Sequence, residues 1–156
     1  MDFISEKYIE DVIELFDSEP NYLQTLNEIQ NLYPDLIYFI DQENHTLLTK
    51  EESTILEYLT LVIYQSVKIQ LYKIPIIIAN DIELNEEKNW DTFNTATSKS
   101  FSKILDTFFD GYKQEDLLAL IEDSIQQDDE NPISSVGREI IFVACKSIID
   151  ALDMRN

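Results

Sequence analysis

Thr49–Pro75, TKEESTILEYLTLVIYQSVKIQLYKIP, is the stretch that decides the fold. Thr49 and Glu52 have the spacing of a capping box, in which the hydroxyl takes a free N–H of the first turn and the carboxylate reaches back to the cap's own N–H. Apolar residues at 55, 56, 59, 62, 63 and 67 then keep one face at helical period. The pattern predicts a helix of roughly 23 residues ended by Pro75, long enough to be central to the domain. Tyr64 and Tyr72, with Lys68 between them, lie on a second stripe that suits either helix packing or an interface.

Upstream, Ile4, Tyr8, Val12, Leu15 and Phe16 share a face and predict a first helix over 3–16. Ser18 as N-cap and Pro20 in the first turn open a second helix to about Tyr33, where Pro34 disfavours helical geometry in its predecessor. Its buried face should be Tyr22, Leu23, Leu26, Ile29 and Leu32. Residues 34–48 read either as a short helix opened by Pro34-Asp35 or as a hairpin built on Ile37–Ile40. Helix is preferred, because the rest of the chain offers few strands to pair with.

Downstream, KIPIIIAND at 73–81 reads as an extended connector with Ile76, Ile77 and Ile78 buried. Asn85-Glu86-Glu87 offers a cap and an acidic first turn for a helix running to Gly111, a natural left-handed stop. Within it Phe101, Ile104, Leu105, Phe108 and Phe109 form the cleanest helical stripe of the chain. Glu115-Asp116 opens a helix to about Gln127, packed by Leu117, Leu118, Ile121 and Ile125. The loop DDENP follows, and either Asn131-Pro132 or Ser134-Ser135 starts the last helix. That helix is apolar on most sides from Ile140 to Cys145, which predicts a place deep in the bundle. A polar stripe of Glu139, Lys146, Asp150 and Asp153 remains, with Lys146 four residues before Asp150. Residues 1–156 therefore read as a single all-α domain, one compact bundle of six or seven helices with a buried C-terminal helix.

Composition agrees. The chain has 156 residues, 44% of them hydrophobic, and 2 Gly. That length suits one domain, and so few glycines leave too few left-handed positions for a sandwich, a barrel or a phosphate-cradling Gly-rich loop. The single Cys145 sits in an apolar run, so neither a disulfide framework nor a Cys-based zinc site is available. The acidic N-terminal stretch does not resemble a signal peptide. Ile55–Ala79 is interrupted by Glu57, Gln65, Lys68, Gln70 and Lys73, too polar to span a membrane. A cytoplasmic protein without membrane contact is the expectation.

Charge is the strongest functional signal. There are 31 acidic and 11 basic side chains, a formal net charge of −20. Residues 1–48 hold 11 acids and 1 base, residues 49–105 hold 8 and 6, and residues 106–156 hold 12 and 4. Glu6, Glu10 and Glu14 repeat at i, i+4 with Asp17 next, a ridge that opposes its own helix by about 0.2–0.5 kcal/mol per pair. The functional reading is a docking surface for a basic protein partner, in the limit a mimic of nucleic-acid phosphates; the plain reading is a solvated face. Direct nucleic-acid binding is excluded as an expectation, since no basic stripe overrides the net charge.

Other chemistry is thinly signalled. Asp128, Asp129 and Glu130 could offer oxygen ligands to a cation, but lack EF-hand spacing, and no metal or cofactor is predicted. His45 reads as an exposed turn residue, and Cys145 as a small buried hydrophobe. Arg138, entering an apolar helix beside Glu139, should form a structural ion pair with a carboxylate, less readily an anion site. Three readings follow: an acidic interaction or regulatory protein; a metal- or small-molecule-dependent enzyme built on Arg138, Glu139 and the 128–130 carboxylates; and a structural homodimer subunit.

Overall fold

The computed structural model describes residues 1–130 and 132–156. Among them are eight α-helices and no strand: α1 (Glu6–Leu15), α2 (Glu19–Leu32), α3 (Pro34–Ile40), α4 (Lys50–Leu71), α5 (Ala79–Thr95), α6 (Phe101–Phe109), α7 (Glu115–Ser124) and α8 (Ser135–Arg155). Glu43–Leu47 form a 3-10 turn between α3 and α4, so 34–48 is helical as preferred.

Helix α8 is the axis of the bundle. It packs against α4, α5 and α7, while α4 in turn carries α1 and α2 on its other side. Nearly every residue from Ile140 to Leu152 is buried, Lys146 and Ser147 included. Ile4, Ile29, Leu59, Ile63, Ile121 and Phe142 join in one core reaching from the first helix to the last.

The helix ends follow local chemistry. Thr49 Oγ1 accepts from the Glu52 N–H at 3.2 Å and Glu52 Oε1 accepts from the Thr49 N–H at 2.9 Å, so the capping box forms as read. Helix α4 stops at Leu71, earlier than the proline, because Pro75 holds its predecessor extended and the chain must leave the helix before it. Tyr72 makes the exit with φ 53°, left-handed backbone that costs an L residue roughly 1–2 kcal/mol. Ser134, not Pro132, caps α8: its hydroxyl accepts from the Gly137 N–H at 2.9 Å. Asn131, the other cap considered, lies outside the described residues.

Four expectations are corrected. The helix expected over 85–111 is two helices. It begins six residues earlier, at Ala79, and breaks over 96–100, where Ser98 Oγ takes the Ser100 N–H at 3.1 Å and competes with helical bonding. Asn85 is thus inside α5, its amide donating to the Asp81 carbonyl at 2.7 Å. Ile76 and Ile78 are not buried: Ile74 and Ile76 are each 49% exposed and Ile78 37%. The Asn156 side chain pairs with both backbone groups of Ile76 at 2.9 Å, and the Tyr33 hydroxyl donates to the Pro75 carbonyl. So pinned, the extended backbone alternates, turning Pro75 and Ile77 inward and the even-numbered isoleucines outward. On α2, Leu23 and Leu32 are close to half exposed, since the helix meets α4 through Tyr22 and Glu28, which bond Glu57, Tyr64 and Lys68, and buries Thr25 and Ile29.

Candidate functional site

The acidic ends of the chain meet. Gln114, buried at the start of α7, accepts the Ile4 N–H at 2.9 Å and donates to the Asp2 carbonyl at 3.0 Å. Two residues on, Asp116 accepts the Glu6 N–H at 2.8 Å and so caps α1 from a different helix. These bonds lay α1 along α7. Between them runs a groove of about 320 Å³ whose floor is Ile9, Ile13, Ala119 and Leu120 and whose rims carry Glu6, Glu10, Asp116 and Asp123. No lysine or arginine lines it.

The predicted ridge divides. Glu6 and Glu10 stand on the groove, Glu14 is exposed one turn further along α1, and Asp17 leaves it. Asp17 lies near Tyr58, whose hydroxyl is pushed above its ordinary value by burial and then by that carboxylate. Asp116 and Asp123, not singled out in the sequence, complete the groove. Their signal was the excess acid of the last third of the chain, but nothing in one dimension said which of its carboxylates would face α1.

Arg138 does not find the carboxylate expected of it, and Glu139 is not its partner. Its Nη1 donates to Gln127 Oε1 at 3.1 Å and its guanidinium lies 4.2 Å from the centroid of the Phe101 ring. The break that frees α6 brings Phe101 to that position, an event the unbroken helix did not foresee. The Asp128–Glu130 loop turns on itself, Asp128 accepting the Glu130 N–H at 2.9 Å. Among the described residues no group of His, Cys, Asp and Glu is arranged to hold a metal ion.

His45 is a correction too. It is buried, set edge-on against Phe39, and hydrogen-bonded through Nδ1 to the Ile40 carbonyl at 3.1 Å. Burial holds its pKa below the usual value, and Glu86 approaches Nε2 at 3.9 Å. Cys145 is fully buried and its thiol pushed far up by burial, which leaves it chemically quiet. Tyr64 is buried rather than part of an exposed stripe: it donates to Glu28 at 2.6 Å, and Lys68 grips the same carboxylate at 2.7 Å. Tyr72 alone of that stripe is exposed, at 88%.

Two buried charges were underestimated in sequence. Glu52 serves two helices: beyond the capping box, its Oε2 accepts both the N–H and the hydroxyl of Ser134, at 3.0 and 2.8 Å. Burial pushes its carboxyl up, but the donors of Thr49 and Ser134 outweigh this and hold it below the ordinary value. Lys146 pairs with Asp150 at 2.6 Å under the ring of Tyr112, while Tyr112 and Asn89 also donate to that carboxylate. Burial holds the Lys146 ammonium below its ordinary value against the opposing pull of Asp150.

No protein-family model, characterised protein or solved structure matches this chain significantly. No helix among the described residues is long and apolar enough to cross a membrane.

Proposed function

We propose that this is a cytoplasmic interaction protein whose α1/α7 groove takes up a basic, amphipathic segment of a partner protein. The observation that supports the reading is the pairing of an apolar floor with four rim carboxylates and no rim cation. Apolar side chains of the segment would lie on Ile9, Ile13 and Leu120, and its lysines or arginines would meet Glu10 and Asp123. Such charge steers encounter and selects the partner more than it adds affinity. The rim is partly solvated, so each pair contributes only about 0.2–1 kcal/mol.

The test is fluorescence anisotropy with a labelled Lys/Leu peptide of amphipathic helical order, against a peptide of the same composition in scrambled order. Preferential binding of the ordered peptide, weakened roughly fivefold by combined Glu10→Gln and Asp123→Asn, supports the groove. Equal binding of both peptides, or none, reduces the carboxylates to a solubilising face.

A second reading, a subunit that associates with its own copy, draws on the outward Ile74, Ile76 and Ile78. Light scattering of the full chain separates the two: a monomer at tens of micromolar leaves only the first.

A further inference from the structure

A separate cleft, of about 580 Å³, opens where the start of α6, the end of α7 and the first turns of α8 meet. Lys99, Ser100, Ser102, Glu122, Gln126 and Arg138 supply its polar lining. The volume lies within the range of small-molecule sites, roughly 300–1,000 Å³.

Arg138 is the anomaly that gives the cleft a chemistry. In a chain with 31 carboxylates, Lys68, Lys146 and Arg155 each hold one, at 2.7, 2.6 and 2.6 Å. Arg138 holds none among the described residues. Among the described residues only Nη1 has an acceptor, and Nε is enclosed without one. A guanidinium drawn in against Phe101 with most of its donors unspent is suited to a planar or tetrahedral oxyanion. Lys99, which lines the same cleft, makes no ion pair among the described residues. The hydroxyls of Ser100 and Ser102 are 3.2 Å apart and share one hydrogen bond, which leaves one of their two protons to donate elsewhere.

Glu122 narrows the class of anion. It lines the same cleft, and burial, with Asp123 and Asp106 close by, holds its carboxyl above the usual range. A carboxyl at that position opposes a fully deprotonated anion but accepts readily from a P–O–H group. The net charge of −20 does not forbid such a ligand, because charges more than about 8 Å away are largely screened at physiological salt.

We propose that this cleft binds inorganic phosphate, which keeps a proton at neutral pH. Arg138 and Lys99 supply the positive charge, Ser100 and Ser102 a hydroxyl donor, and Glu122 the acceptor for the phosphate's own proton. Sulfate has the same shape but no proton at neutral pH, and is the discriminating competitor.

The experiment is a proton–nitrogen NMR titration of the full chain with inorganic phosphate, glycerol 3-phosphate and sulfate at matched ionic strength. The expected result is saturable shifts of the Ser100–Ser102 amides and the Arg138 Nε–H with phosphate, and at least tenfold weaker binding of sulfate. Glycerol 3-phosphate, whose second pKa of about 6 leaves it mostly without a P–O–H at neutral pH, should also bind more weakly than inorganic phosphate, and tighter binding of the ester would overturn the role given to Glu122. Arg138→Gln should abolish the shifts, as should Lys99→Gln, whose exposed position leaves folding untouched. Non-saturating shifts, an equal response to sulfate, or binding unchanged in Lys99→Gln and a folded Arg138→Gln protein would overturn it.

Discussion

Glu52 and Gly137, 85 positions apart, are packed so closely that a Cβ on Gly137 would overlap the Glu52 carboxylate. The glycine sits in the first turn of α8, where helical backbone does not require it. Its function is space: only a hydrogen there lets one carboxylate cap α4 and also take both donors of Ser134.

Gly137→Ala should therefore destabilise the protein, by about 1–3 kcal/mol for forced overpacking, although glycine to alanine inside a helix ordinarily gains about 1 kcal/mol. A thermal melt lowered by several degrees is expected. Gly111, with φ 67° and open space around it, is the control: alanine there meets no side chain and costs only its left-handed backbone, about 1–2 kcal/mol.

Acid should unfold the protein partly through Glu52. Its carboxyl titrates below its ordinary value of 4.5 when folded, so its stabilisation is complete above that pH and is lost as pH falls through the folded value. His45, also held low, favours the fold above its ordinary 6.5 and begins to oppose it below. Urea midpoints followed from pH 7 to 3 should fall less steeply below 4.5 in Glu52→Gln, and less steeply between 6.5 and 5 in His45→Gln, than in wild type.

The buried pair in α8 should respond asymmetrically. Asp150→Ala leaves the enclosed Lys146 ammonium without its ion-pair partner, with only the charge of Asp153 nearby, and loses the acceptor of Tyr112 and Asn89, at a cost of about 3–5 kcal/mol. Lys146→Met leaves the carboxylate with both those donors and should cost clearly less. Chemical denaturation of the two variants gives the order.

Asp116 and Asp123 share a groove but not a structural duty. Asp116→Ala removes the cap of α1 and should lower stability by about 0.5–2 kcal/mol, while Asp123→Asn should leave the melt within about 0.5 kcal/mol of wild type. Calorimetry on both decides it, and Asp123 is accordingly the cleaner residue for testing peptide binding.

Much of the bundle was legible in the chain. The Thr49–Glu52 capping box, the stop at Gly111, the stripe from Phe101 to Phe109 and the apolar girth of α8 are local patterns with local causes. The failures were local patterns overruled from a distance. The isoleucines of the connector look like core, but Asn156 and Tyr33 hold the backbone so that Ile74, Ile76 and Ile78 face out. His45 lies in a polar stretch, yet the 3-10 turn folds it in against Phe39.

Of the candidate site, the chain alone showed that Glu6 and Glu10 share one face of α1 and that its two ends are rich in acid. It could also say that α8 is buried and that no glycine-rich or cysteine-based chemistry is available, because these follow from composition and from the 3.6-residue period. Which carboxylates face one another was decided only in three dimensions, by Gln114 and Asp116 drawing α1 onto α7. So was the placing of Arg138 against Gln127 and Phe101 rather than in an ion pair, which depends on the break before Phe101. Periodicity specifies which face of a helix is buried; the bonds and packing that bring two helices together span more than a hundred residues here, and no local pattern encodes them.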